Sequence, residues 1–270
     1  MVHKVSKRKF DLIGYIDNRR KIIPTCIRAS IGKKLFKTDK LMINVGSGVW
    51  YKPFWKSLDL YTSWYGGGIW WKKTIDYDYD LTSMKQLPFD DDSVDLFYSE
   101  YAFEHIPIKC SKYVFGEMHR CLKPGGGFRI IVPDMDIVYS KFNKDDLELF
   151  EHYAKEQDWN YSRAFLEFFA YPDTFDGEAF WKDFETLSKE KFFDKYTEGK
   201  IQKKDTAGHH ISWFNFKKLH DILESFGFVD IKKTGYKETR FKEMKNKYFD
   251  TRPDYPGLFV DCEKGRNNGK

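Results

Sequence analysis

The sequence predicts an α/β fold: a doubly wound, mostly parallel seven-stranded sheet with an antiparallel last strand and a helical insertion after the fifth strand. Three observations carry this expectation. Short apolar strand candidates alternate with stretches of helical period. The first candidate runs directly into Gly46-Ser47-Gly48, and the second ends in the carboxylate of Asp59.

Taken in order, Leu41-Met-Ile-Asn-Val45 is the first strand, and glycines behind it let the backbone approach a ligand with free amides facing its polar groups. Trp55-Lys-Ser-Leu-Asp59-Leu60 is the second. An acid at that tip is what a doubly wound sheet uses to accept hydrogen bonds from ribose hydroxyls. The link between the two strands is near the minimum for a crossover, so any helix in it must be short. Residues 75–81 form the third strand candidate, and Asp90 to Ser93 turn the chain into a buried fourth strand at 94–98. A helix near 111–121 sets Val114, Phe115, Met118 and Leu122 on one face. Gly125 to Gly127, after Lys123-Pro124, read as a turn into a fifth strand at 128–133, which ends at Asp134. Later, Asn215 caps a helix whose stripe is Phe216, Leu219, Ile222, Leu223 and Phe226, and Gly227 stops it. Residues 228–232 and 257–261 are the last two strands, paired antiparallel.

Composition bounds the class. A chain of 270 residues can bury a sizeable core without staples. Cys26, Cys110, Cys121 and Cys262 show no CxxC pair and no clustering with histidine, so reduced thiols in a cytoplasmic protein are expected rather than a zinc site or disulfides. No stretch approaches the ~20 apolar residues of a membrane span, and the basic N-terminus lacks the apolar run of a signal peptide. Residues 1–40 hold twelve Lys/Arg against three Asp, a net of +9, which leaves −4 for the rest of a +5 chain. This basic arm, ahead of a domain at 41–270, offers contact with an anionic membrane surface, a nucleic acid or a phosphorylated carrier; a solvated leader is the alternative.

Asn-Val-Gly-Ser-Gly at 44–48, Leu-Asp-Leu at 58–60, Asp-Leu at 80–81 ahead of Leu-Pro-Phe, Glu-His-Ile at 104–106 and Leu-Lys-Pro-Gly-Gly at 122–126 occur in one order. Together they resemble the class I S-adenosylmethionine-dependent methyltransferases of the type 11 group, and within it those encoded among surface-glycan genes. The resemblance implies a Rossmann-like sheet and S-adenosylmethionine as methyl donor. It implies that Gly46, Ser47 and Gly48 line the methionine and ribose end, that Asp59, followed by Leu60, binds the ribose, and that Asp80 with Leu81 holds the adenine. Glu100 and Tyr101 would approach the methionine moiety. Asn44 departs from the acidic residue that many relatives carry there. A side chain at Gly46 is expected to block the donor while leaving the fold largely intact.

Other residues have plainer readings. Asp76 and Asp78 are expected to be solvated, because hard cations need several converging oxygens and none are evident; no metal site is expected. His105, behind Glu104, reads as structural or as a cofactor-edge residue rather than as the catalytic base.

The acceptor side is thinner in signal. The stretch 143–199 is too long for a loop, with Leu147, Phe150, Tyr153 and Ala154 on one face, and it lies in an insertion at 135–208. Its aromatics, among them Trp159, Tyr161, Phe165, Phe168, Phe169, Phe180, Trp181 and Phe184, either stack on sugar rings or pack as a helical cap; packing is the commoner use. His209 and His210, just before the capped helix, are candidate general bases for a hydroxyl, with Asp134 as the carboxylate that steadies the imidazolium; a histidine satisfied by the cap backbone is the alternative. After the fourth strand the chain reads Ser99-Glu-Tyr-Ala, without the Asp/Asn-Pro-Pro-aromatic tetrad of base-amine methylation or a Pro-Cys. By this elimination and by what the resemblance implies, O-methylation of a sugar or glycan intermediate is the leading function. An RNA methyltransferase using the basic arm, disfavoured here, and a non-catalytic donor-binding partner protein are the rivals; steep salt dependence marks the first, absence of transfer the second.

Overall fold

The computed structural model describes residues 38–266 apart from 49, 51, 63–73, 158, 172–173, 202, 204–207 and 254. The basic arm as far as residue 37, with Cys26, lies outside the described residues.

Seven strands form one sheet: β1 (Met42–Val45), β2 (Lys56–Asp59), β3 (Tyr77–Asp78), β4 (Val94–Glu100), β5 (Leu122–Pro133), β6 (Phe228–Thr234) and β7 (Gly257–Lys264). Their order is β3-β2-β1-β4-β5-β7-β6. The first five pair in parallel, whereas β7 lies between β5 and β6 and runs antiparallel to both. β1 is buried along its whole length, as a central parallel strand covered on two faces must be.

One face is covered by two helices. α1 (Ile108–Cys121) begins directly after Pro107, three residues earlier than its apolar stripe suggests, because proline suits a helix start. It buries Cys110, Val114, Phe115, Met118 and Cys121 into the same core that receives Leu219, Ile222 and Leu223 of the last helix. Each fully buried Phe or Leu there contributes about 1.5–3 kcal/mol. Leu122, expected on the helix, already belongs to β5. The glycines that read as a turn also fall inside β5: only Gly125 has a positive φ, and a Cβ on Gly127 would run into the Phe241 ring. Close packing, as well as turning, fixes glycine there.

Among the described residues the opposite face is covered not by a helix but by the long link between β6 and β7. Phe241, Met244 and Phe249 from that link pack on Trp55, Tyr98 and Ile131. The link is pinned by Arg129 of β5, which is fully buried and bonds Asp261 of β7 at 2.6 Å and Asp250 of the link at 2.7 Å. Removing one partner of such a group leaves an uncompensated buried charge and costs about 3–5 kcal/mol.

Among the described residues five helices follow β5 before the chain returns to the sheet: α2 (Met135–Asn143), α3 (Glu148–Gln157), α4 (Tyr161–Leu166), α5 (Gly177–Thr186) and α6 (Lys189–Thr197). They form a core of their own in which Phe142, Phe150, Phe165, Phe168, Phe169, Phe180, Phe192 and Phe193 are buried. Phe142 and Phe165 stack at 4.3 Å. The aromatic-rich stretch is thus chiefly packing, with Trp181 an exposed exception. The chain returns to the sheet through residues 211–214, where Trp213 enters the insertion core and Phe214 the main one. The last helix, α7 (Phe216–Ser225), starts at the Asn215 cap, whose side chain accepts from the Lys218 amide at 2.9 Å. Cys110, Cys121 and Cys262 are buried free thiols, and no described helix is long and apolar enough to cross a membrane.

Candidate active site

The carboxyl ends of β1, β2 and β4 open into a cleft of about 600 Å³. In a doubly wound sheet this is where the strand order reverses and ligands bind. Gly46 and Gly48 both adopt positive φ, +63° and +54°. The turn is tied to β2, since the Gly46 amide donates to the Leu58 carbonyl at 2.9 Å and the Gly48 amide to the Asp59 carboxylate at 2.5 Å. The other Asp59 oxygen accepts from the Leu60 amide at 2.7 Å. Burial pushes the Asp59 carboxyl up to about 6, against the pull of those two amides. Gly46 is also a packing residue: a Cβ there would collide with Ala102, so a valine at Gly46 disturbs the fold as well as the cleft, contrary to the expectation from sequence.

Further along the wall stand Leu60, Tyr79, Asp80 and Leu81. Asp80 accepts from the amide and hydroxyl of Thr82, both at 2.7 Å, which shapes the turn that presents Leu81 to the cleft. Asp76 and Asp78 are not simply solvated, as expected, but accept from the Ser57 and Tyr61 amides at 2.9 Å and so brace β2. Ser47 is buried and its hydroxyl bonds the Gly48 carbonyl; it does not line the cleft.

Glu100 and Tyr101 separate. Glu100 faces the link behind the sheet, accepting from Tyr98 at 2.9 Å and from the Thr251 amide and hydroxyl, and is not among the lining residues. Tyr101 lines the cleft with φ +53°, an uncommon conformation for a bulky side chain and one that clusters at functional sites. Among the described residues its buried hydroxyl has no hydrogen-bond partner.

The histidines divide differently from the sequence expectation. Asp134 does not meet them. It is fully buried, caps α2 by accepting from the Asp136 amide at 3.1 Å, and pairs with Lys233 of β6 at 2.7 Å. His209 is stacked on Tyr171 and paired with Glu167 of the insertion. His210 instead lies against His105, ring centroids 4.7 Å apart, and both approach Glu104: its Oε1 is 3.8 Å from His105 Nε2 and 3.9 Å from His210 Nε2. The backbone makes this meeting. The amides of Ile211 and Ser212 donate to the Glu104 carbonyl, and Tyr171 donates to that of His210. His105 lines the cleft, and its Nδ1 lies 3.1 Å from the His209 carbonyl. Burial pushes the Glu104 carboxyl up to about 8 and lowers both imidazoles, His105 to about 4. Glu104 had been passed over in the sequence; its one signal was the Glu-His doublet directly after β4.

The donor set fits the group the resemblance implies. A strand-tip carboxylate suits ribose hydroxyls, Leu81, Ile106 and Pro107 offer apolar surface for a base, and the strained Tyr101 faces the same space.

Comparison with known proteins adds a family match. Residues 70–130 match the family model described as a methyltransferase domain. No curated protein matches the chain. Among solved structures, human N-acetylserotonin methyltransferase in complex with SAM is 13% identical over 83% of this chain and 47% of its own, with a TM-score of 0.42. A SAM-dependent methyltransferase from Methanosarcina mazei is 14% identical over 88% of this chain and 98% of its own, with a TM-score of 0.43. The Haemonchus contortus phosphoethanolamine N-methyltransferase 2 complexed with S-adenosyl-L-methionine is 14% identical over 92% and 53%, at 0.42. The chain spans about half the length of the human and nematode proteins. The matched segment runs through β3, β4, α1 and into β5, and so includes Asp80, Tyr101 and His105 of the cleft wall.

Proposed function

We propose that this chain is an S-adenosylmethionine-dependent methyltransferase that methylates a hydroxyl oxygen. The observation that carries the reading is one cleft with a strand-tip carboxylate, Asp59, at one side and a histidine, His105, backed by His210 and Glu104, at the other. Asp59 would hold the ribose, Gly46 and Gly48 the sulfur-bearing end, and Asp80 with Leu81 the base. When bound, the donor supplies an electrophilic methyl group on a positively charged sulfur.

Methyl transfer then asks chiefly for alignment, with the acceptor oxygen about 3–3.5 Å from the methyl carbon. Tyr101 and His105 stand where an acceptor would enter, and the histidine cluster activates its hydroxyl. A sugar or glycan intermediate is the acceptor class favoured by the sequence resemblance; the insertion aromatics lend it little, since most are spent on packing. Three free buried thiols support a cytoplasmic setting.

The test is transfer of radiolabelled methyl from the donor into fractionated glycan, RNA and small-molecule pools, beside calorimetric donor binding. Label in the glycan or small-molecule pool supports the reading, and His210→Ala should lower turnover by about 10²–10⁴ while donor affinity stays within about twofold. Label in RNA alone would replace the acceptor, and donor binding without transfer to any pool would leave a binding protein.

A further inference from the structure

Glu104 is the least expected side chain near the cleft. It is 1% exposed, and neither carboxylate oxygen has a hydrogen-bond partner among the described residues. Such an orphan needs a reason, because an unsatisfied buried polar group costs about 1–3 kcal/mol and more if charged. Two ring nitrogens lie close to its Oε1, His105 Nε2 at 3.8 Å and His210 Nε2 at 3.9 Å. One ligand atom from each of the three residues lies within 4.8 Å of the others.

We propose that Glu104, His105 and His210 bind a divalent first-row transition ion at the acceptor edge of the cleft. Two imidazoles and one carboxylate are a donor set that holds such ions while leaving coordination positions open. A tetrahedral ion with ligands ~2.0–2.1 Å away would set neighbouring donor atoms roughly 3.4 Å apart. The observed 3.8 and 3.9 Å need only a small side-chain contraction, and the separation between the two imidazoles, within 4.8 Å, must close as well. The second observation is the His105 ring itself: Nδ1 is committed to the His209 carbonyl at 3.1 Å, which turns Nε2 towards Glu104. Anchoring the far nitrogen on a backbone carbonyl is how proteins fix the tautomer and orientation of a ligating histidine. The Arg252 guanidinium, stacked on Tyr101 at 5.0 Å, is a positive charge near the cluster that the ion must tolerate.

This inference rests on the methyltransferase reading only for its use: an open ion beside the cleft acts as a Lewis acid that orients and acidifies an acceptor hydroxyl. The site itself follows from the three side chains. The test is titration of the chelator-treated full chain with Zn²⁺, Co²⁺ or Mn²⁺ alone by calorimetry, with the visible spectrum of Co²⁺ as a second readout. One ion per chain is expected for at least one metal. His210→Ala and the near-isosteric Glu104→Gln should each weaken binding at least the about tenfold that loss of even an outer partner costs. Circular dichroism and donor binding check that both variants fold. No binding of any of the three ions, or binding unchanged in both variants, overturns the site. If ions fail to bind while the wild type binds donor and His210→Ala loses transfer, the ion falls and the methyltransferase reading stands. If ions bind but the donor does not, the reverse holds.

Discussion

The two halves of the cleft are built in different ways. The proposed donor half is made of strand tips and backbone: two glycines at positive φ, amides given to Asp59, and a turn shaped by Asp80, all within residues 46–82. The acceptor half is made by tertiary convergence. Glu104 and His105 come from the turn after β4, while His210 arrives from beyond five helices, held by backbone bonds from Ile211 and Ser212 to the Glu104 carbonyl. The contrast teaches that the proposed donor half is set by a local loop, whereas the Glu104, His105 and His210 cluster depends on an insertion with a core of its own to deliver its last member.

If that contrast is right, damage to the insertion core should hurt stability and delivery of His210 before it touches the donor loop. Phe165→Ala removes a fully buried ring that stacks on Phe142 and Phe192, and should lower unfolding free energy by about 3–5 kcal/mol. Denaturant unfolding would measure it. A loss under 1 kcal/mol would mean the insertion is not a packed unit.

The converse change sits in the donor half. Asp59→Ala removes the acceptor for the Gly48 and Leu60 amides and the one proposed for the ribose, and should weaken donor binding by about 1.5–3 kcal/mol with the insertion untouched. Equal calorimetric affinity for variant and wild type would remove Asp59 from the site.

A pH series sharpens the same point. Burial raises Asp59 to about 6, so the ionised form that accepts ribose bonds is lost as pH falls through that value. Donor affinity should be flat above about pH 7 and fall several-fold by about pH 5. The sign reverses for the ligand-free fold, where the raised carboxyl costs stability as pH rises from 3.8 towards 6. Donor affinity that is level across this range would mean the carboxylate is not the ribose acceptor.

The smallest effect is expected from the basic arm. The proposed donor-contacting positions all lie beyond residue 45, so deleting residues 1–37 should change donor affinity by less than about twofold. A larger loss would tie the basic arm to the cleft.

What could be read without coordinates was whatever neighbours in sequence enforce. Strand periodicity, the Gly46 to Gly48 turn, Asp59 at a strand tip, the Asn215 cap and the stripe of α7 were legible because each is a short-range pattern of burial or backbone geometry. The resemblance to methyltransferases was carried by the same local motifs. The glycines inside β5, the brace formed by Asp76 and Asp78, and the turning of Glu100 away from the cleft were not, since each depends on a partner from elsewhere: Phe241, β2 or Thr251. The histidines show the limit most clearly. Sequence placed His209 and His210 at the rim and coupled them to Asp134, but one residue of difference in a buried backbone segment sends His209 to Glu167 and His210 to Glu104, and Asp134 is consumed by a helix cap and Lys233. Local rules determine which residues stand near a cleft. Which of them share a proton or an ion is decided by distances of an ångström or two between distant segments, and those are fixed only when two cores close around them.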